Sequence, residues 1–177
     1  MSDIPADAVK VTWEEAYQQS VRLAEMIEQH CRETGEKFDA MLVVPRGGFY
    51  PANIVARQLG FDAVSMLSAS VASYQTGNKA GQAQFRAGQL PPPELIKGKD
   101  IIIVDEVCET GKTLDFIVNY LKDNGAGIVR SGVIHYKPPR SETGFKPDWV
   151  VEETDKWVVY PWEPHEEIGE SSAAIKR

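Results

Sequence analysis

Residues Ile101 to Leu114 read I-I-I-V-D-E-V-C-E-T-G-K-T-L. Four apolar, largely β-branched residues predict a buried strand, and the polar loop that follows leads into a new apolar pattern, predicting a helix from about Lys112. Asp105 and Glu106 stand at the strand's end. The first N–H groups of such a helix, with those of Glu109 to Thr113, would face whatever lies beyond the strand, which makes the turn a place for a phosphate. The two carboxylates cannot take a phosphate themselves. Paired acceptors do suit neighbouring hydroxyls of a sugar, or a magnesium ion, so the run as a whole points to a phosphorylated sugar. A nucleoside-triphosphate loop is one rival, because E-T-G-K-T ends like G-x-x-x-x-G-K-[ST]; its first glycine would fall where Glu106 stands. An ordinary strand, turn and helix with solvated acids is the other, and the length of the run tells against it.

Composition sets the frame around this run. At 177 residues, 42% apolar and 25% charged, the chain reads as one globular domain with a sheet covered on both faces. We expect that domain to span residues 1–163, with a polar, charged and disordered tail over 164–177. No apolar run approaches about 18 residues and no basic start leads into an apolar segment, so a cytoplasmic protein without membrane contact is expected. The net charge of −7 argues against nucleic acid, and means that an anionic ligand must be held by local cations and backbone amides. Cys31 and Cys108 form neither a disulfide framework nor a metal spacing. Cys108 is either a loop thiol near the phosphate or a packed side chain, and packing is the favoured reading.

Before the central run, Met1 to Lys10 read as a loose arm. Thr12 and Glu15 make a capping box, and Trp13, Ala16, Tyr17, Val21, Ala24, Ile27 and Cys31 recur at helical spacing up to Gly35. Trp13 and Tyr17 are expected as core anchors, and His30 as a solvated position. A strand over Phe38 to Val44, the loop P-R-G-G and a helix over Phe49 to Leu59 form a second anion site, with Arg46 as a charged fork. A bare R-G-G would more often be a turn. A strand follows over Ala63 to Leu67, and then a polar stretch over 68–99 with glycines at 77, 81 and 88 and prolines at 91 to 93, of a length typical of a lid or a linker.

After the central run, a helix over Leu114 to Leu121 ends at Asn124 and Gly125, and Ile128 to His135 form a strand. Lys137 then lies at a strand's carboxyl end, on the ligand side of an open α/β sheet. His135 is given no role. The last patterned stretch, K-W-V-V-Y-P-W-E, holds three aromatic residues within six positions, which by composition alone means core packing.

With four apolar residues, two acids and a loop ending T-G-x-[ST], the run 101–114 resembles the 5-phosphoribosyl pyrophosphate (PRPP) motif of the type I phosphoribosyltransferases. The order of elements follows that family from about Thr12 to Glu163. The resemblance implies an α/β fold with a twisted, mostly parallel sheet flanked by helices and a small C-terminal hood. It also implies that Asp105 and Glu106 hold the ribose hydroxyls, Glu106 also magnesium, and that Cys108, Glu109, Thr110, Gly111, Lys112 and Thr113 surround the 5′-phosphate. The P-R-G-G loop resembles the family's pyrophosphate loop, implying a cis Pro45–Arg46 bond and amides of Arg46 and Gly47 turned to pyrophosphate. Ser73 and Tyr74 resemble the start of the flexible flap, with Lys79 and Arg86 as candidates to meet the phosphates.

On the base side, D-x-W-[IV]-x-x-P-W-[DE] resembles the bacterial xanthine-guanine phosphoribosyltransferases. Carried over, Trp157 stacks on the purine, the Val158 main chain reads its edge, Trp162 is structural and Lys137 donates to the 6-oxo group. Glu109 departs from the aspartate usual in purine-using members. It and Arg46 are the catalytic candidates, Glu109 at the purine imidazole and Arg46 at the leaving group. The implied reaction is Mg2+-dependent transfer of a phosphoribosyl group from PRPP to guanine, xanthine or hypoxanthine in purine salvage, by a homo-oligomer, dimer or tetramer. The alternatives are a PRPP-binding regulator without turnover and a phosphoribosyltransferase for another base.

Overall fold

The computed structural model describes residues 4–74, 84–87 and 89–163. The run Ile101–Cys108 is strand β6, at the middle of a five-stranded sheet whose order is β3-β2-β6-β7-β8. Its neighbours are β2 (Ala40–Val43), β3 (Met66–Ser68), β7 (Val129–Tyr136) and β8 (Trp149–Glu153). Every pairing in this sheet is parallel. Parallel strands are covered on both faces, which is why β6 is apolar without alternation. Ile101 and Ile103 pack with Leu114, Ile117, Val118 and Leu121 of helix α3 (Lys112–Asp123) on one face. Ile102 and Val104 pack on the other with Leu23, Ala24 and Ile27 of α1 (Trp13–Thr34) and Ala52, Val55 and Ala56 of α2 (Phe49–Leu59). The chain winds from β2 outward to β3, then returns past β2 to β6. The crevice between the carboxyl ends of β2 and β6 is therefore a topological switch point, where open α/β sheets bind ligands.

The expected capping box is formed: Glu15 N–H donates to Thr12 Oγ1 and Thr12 N–H to Glu15 Oε2, and α1 ends at Gly35 with φ 77°. The helix over Phe49 to Leu59 is likewise as expected. Other expectations are corrected. Part of the N-terminal arm is strand β1 (Val9–Lys10), paired in parallel with β9 (Val158–Val159), and this ribbon forms the hood. Trp13 is 58% and Tyr17 46% exposed, because the stripe of α1 that faces the sheet is Ala16, Ser20, Leu23, Ala24 and Ile27, one step round the helix. His30 is half-buried, its Nε2 2.9 Å from Glu36 Oε2 and its ring edge-on to Trp149. Residues Ala63–Ser65 form a 3-10 turn, with Asp62 accepting from the Ser65 N–H, and the strand starts at Met66. The stretch 68–99 is not one loop. It contains an antiparallel ribbon of β4 (Val71–Tyr74) and β5 (Gln84–Ala87), and Ile96 is fully buried in the core.

Candidate active site

Three pieces meet at the switch point. In the first, β6 carries its acids at its carboxyl end: Asp105 is buried and Glu106 partly so. Burial, then the neighbouring Glu106 charge, pushes the Asp105 carboxyl well above the usual carboxylate range. Glu106 Oε2 is buried with no hydrogen-bond partner among the described residues. Two adjacent carboxylates, one raised and one unsatisfied, are suited to receive donors or a cation. Among the described residues no group of three or more acids, histidines or cysteines could cage a metal. A magnesium ion held by one or two carboxylates completes its shell from water and substrate phosphates, so Glu106 beside Asp105 fits that ion in its usual form.

The second piece is the turn after β6. Gly111 caps α3 in the left-handed region, φ 80°, and a Cβ there would come 2.6 Å from Thr143 Oγ1 and 3.2 Å from the Phe145 Cβ. Only glycine fits. The first N–H groups of the 12-residue α3 lack acceptors within the helix and open toward the crevice with its dipole. The segment 140–145 backs the turn: Glu142 N–H donates to Thr110 O at 2.9 Å, and Lys112 Nζ pairs with Glu142. Cys108 lies in the core with its thiol pushed up to about 12, chiefly by burial and then by Asp105. At 2% exposed it is a packed side chain, the favoured of its two readings.

The third piece is the loop after β2. The Pro45–Arg46 bond is cis. A Cβ on Gly47 would collide with the Glu106 carboxylate, so that glycine lets the loop close onto the acid, whereas one on Gly48 would first meet the Val44 carbonyl and then Asp105 Oδ1 at 3.0 Å.

Lys137 follows β7 and is only 3% exposed; its Nζ donates to Glu109 Oε2 at 3.3 Å and lies 5.6 Å from the centroid of the Trp157 ring. Trp157 is 41% exposed, and Val158 next to it is buried in the hood ribbon. Glu109, Lys137 and Trp157 therefore sit together, joined to the acids of β6 through the shared strand end. Arg140, not singled out in the sequence, donates from Nη1 to Glu109 Oε1 at 2.8 Å. The signal for it was K-P-P-R after a strand, a weak one. Lys79 lies outside the described residues, and the side chain of Arg86 lies outside them too. A separate cavity of about 340 Å³ between α1, β1 and β8 is lined by none of these groups.

An acid pair, an amide cradle at a helix start and a glycine loop at one switch point define a sugar-phosphate transferase site. The chain belongs to the phosphoribosyl transferase domain family, whose pattern matches residues 12–168. It is 28% identical over 157 residues to the xanthine-guanine phosphoribosyltransferase of Ruegeria sp. (strain TM1040), covering 86% of this chain and 84% of that protein. Its structure is similar to that of a purine phosphoribosyltransferase from Pyrococcus horikoshii Ot3, with a TM-score of 0.72, 28% identity and coverage of 90% and 96% of the two chains. It is also similar to a hypothetical protein from Neisseria gonorrhoeae with bound ppGpp, with a TM-score of 0.74, 26% identity and coverage of 92% and 93%.

Proposed function

We propose that this phosphoribosyltransferase moves the phosphoribosyl group of PRPP onto a 6-oxopurine, releasing pyrophosphate, as a salvage enzyme of the cytoplasm. The observation that carries the base assignment is the trio of Lys137, Glu109 and Trp157. A buried ammonium can donate to a 6-oxo group, a carboxylate can meet an imidazole nitrogen, and an indole can stack on the ring. The Ruegeria relative is named for xanthine and guanine, and the Pyrococcus one for purines. The Neisseria protein holds ppGpp, a guanine nucleotide.

Loss of pyrophosphate leaves a ribose with positive charge at C1, so the protein's task is placement and charge rather than covalent chemistry. Asp105 and Glu106 would hold the ribose hydroxyls, and the N–H groups of 109–113 its 5′-phosphate. Arg46 and Gly47 would hold pyrophosphate, while Lys137, Trp157 and the Val158 main chain hold the base. Glu109 would take the proton that the purine must shed, and Arg140 would keep its carboxylate in place. Glu106 would hold magnesium, which when bound neutralises charge on pyrophosphate. Lys79 would join the phosphates from the segment between β4 and β5.

The test is a panel of guanine, xanthine, hypoxanthine, adenine, uracil and orotate with PRPP and Mg2+, read as nucleoside monophosphate. The three 6-oxopurines should give product at least about tenfold more efficiently than adenine, which offers Lys137 no acceptor at that position. Equal or better use of adenine or a pyrimidine would overturn the base assignment.

A further inference from the structure

Tyr160 belongs to none of the three pieces, yet it touches one of them directly and reaches the helix after another through Trp162. It is 3% exposed, and its hydroxyl donates to the Glu106 carbonyl at 3.0 Å. Glu106 stands at an irregularity in the ladder: Asp105 pairs with Val133 and Val107 with His135, Glu106 has no partner in that register, and the Cys108 carbonyl two residues on accepts from Lys137 N–H at 2.9 Å. The phenol supplies a side-chain donor to the carbonyl at that break.

A hydroxyl has one proton, and a carbonyl can only accept. Since the Tyr160 proton goes to Glu106, its oxygen must accept from His135, whose Nδ1 lies 2.8 Å away. His135, 1% exposed, is thereby fixed with a proton on Nδ1; its Nε2 has no hydrogen-bond partner among the described residues and lies 3.6 Å from Glu152. On its other side the Tyr160 ring stacks on Trp162 at 4.8 Å and 8°, and Trp162 stacks on Tyr50 at 4.5 Å and 8°. Tyr50 sits in the first turn of α2, directly after the glycine loop. Tyr160 thus joins the hood that carries Trp157 and Val158 to the strand that carries Glu106 and, through Trp162, to the helix behind the loop of Arg46.

We propose that Tyr160, fixed by His135, is a positioning residue that sets the distance between the base on the hood and the ribose on β6. This rests on the 6-oxopurine transfer proposed above. Transfer requires the purine nitrogen to be held within near-attack range of C1, and a small shift between two separately bound halves costs rate rather than affinity. A residue that governs the gap therefore acts on kcat and leaves each half-site's binding nearly intact.

The test compares wild type, Tyr160→Phe, His135→Leu and His135→Asn in kcat, both KM values, PRPP affinity without base, and melting temperature. Tyr160→Phe keeps the stack on Trp162 and removes only the hydroxyl. We expect kcat to fall roughly three- to tenfold, with PRPP affinity and base KM within about twofold of wild type. His135→Leu should lower kcat in the same way while Tyr160 remains, and His135→Asn, whose amide N–H can stand in for Nδ1–H, should recover most of it. An unchanged kcat in Tyr160→Phe overturns the inference. If Tyr160→Phe does not fold, the two His135 variants decide, and equal kcat in Leu and Asn variants overturns it. So does a fall in PRPP affinity matching the fall in kcat. Absence of turnover by the wild-type enzyme would instead overturn the transfer on which the inference rests.

Discussion

Asp105 and Glu106 show how function is written into single residues at some cost to the fold. Asp105 is buried with its carboxyl raised by burial and by Glu106, and Glu106 keeps a buried oxygen with no partner among the described residues. Neither arrangement stabilises the free protein, and the proposed ribose hydroxyls or cation would relieve both. Asp105→Asn should accordingly weaken PRPP binding by roughly 10- to 100-fold, the worth of a hydrogen bond to a charged group. Its melting temperature should hold or rise, since an amide is neutral at pH 7. PRPP titration and thermal unfolding read the two effects, and a joint loss of stability and affinity would show Asp105 to be a structural acid. At this scale the sequence was clear where a residue type has one use. The glycine at 111 and the acids at 105 and 106 were legible. Tyr160 and Arg140 were not, because a hydrogen bond to a carbonyl 54 positions away, or to an acid 31 positions away, leaves no local pattern.

Between elements, the main polar tie outside the site joins the end of α1 to β7. Arg130 donates to both Glu36 oxygens, at 2.7 and 3.2 Å, and to Asp148 at 3.1 Å. These bonds, and then that of His30, lower the Glu36 carboxyl from its ordinary 4.5 to about 2. A carboxyl lowered on folding contributes stability above its unfolded value, and loses it as pH falls through the folded one. Glu36→Gln should lower the melting temperature at pH 7 by about 2–4 °C, taking the pair as about 1 kcal/mol, and the gap should close as pH falls from about 4.5 to 2. Thermal unfolding across that range is the measurement; a gap independent of pH would mean that Glu36 acts by packing. Elements themselves were readable where caps and periodicity agree, as in α1, α2 and α3. They were misread where tertiary pairing decides. Val9 and Lys10 form a strand only because β9 lies beside them, and Trp13 is outside because α1 buries its alanine and leucine stripe instead.

Across the whole molecule, a net charge of −7 surrounds a site for a polyanion. Attraction would have to be local, and three cations near the strand ends are themselves paired, Lys112 with Glu142 and Lys137 and Arg140 with Glu109. Among the described residues no helix is long and apolar enough to cross a membrane. The order β3-β2-β6-β7-β8 is what brings the residues of positions 46, 105 and 137 together. Alternating strands and helices in the sequence implied a parallel sheet of this kind, and each loop could be read as an anion or base site by its own residues. What linked them, the stack of Tyr50, Trp162 and Tyr160, could not be read, since aromatic residues at those spacings predict core packing with equal force. Transfer depends on the three pieces acting as one site. Its most direct test is the balance of products when the protein is given PRPP, Mg2+ and guanine, with a parallel sample lacking the base. Guanosine monophosphate and pyrophosphate should form in equal amounts, and only when guanine is present. Saturable PRPP binding with neither product formed would contradict the account and mark the protein as a PRPP-binding regulator.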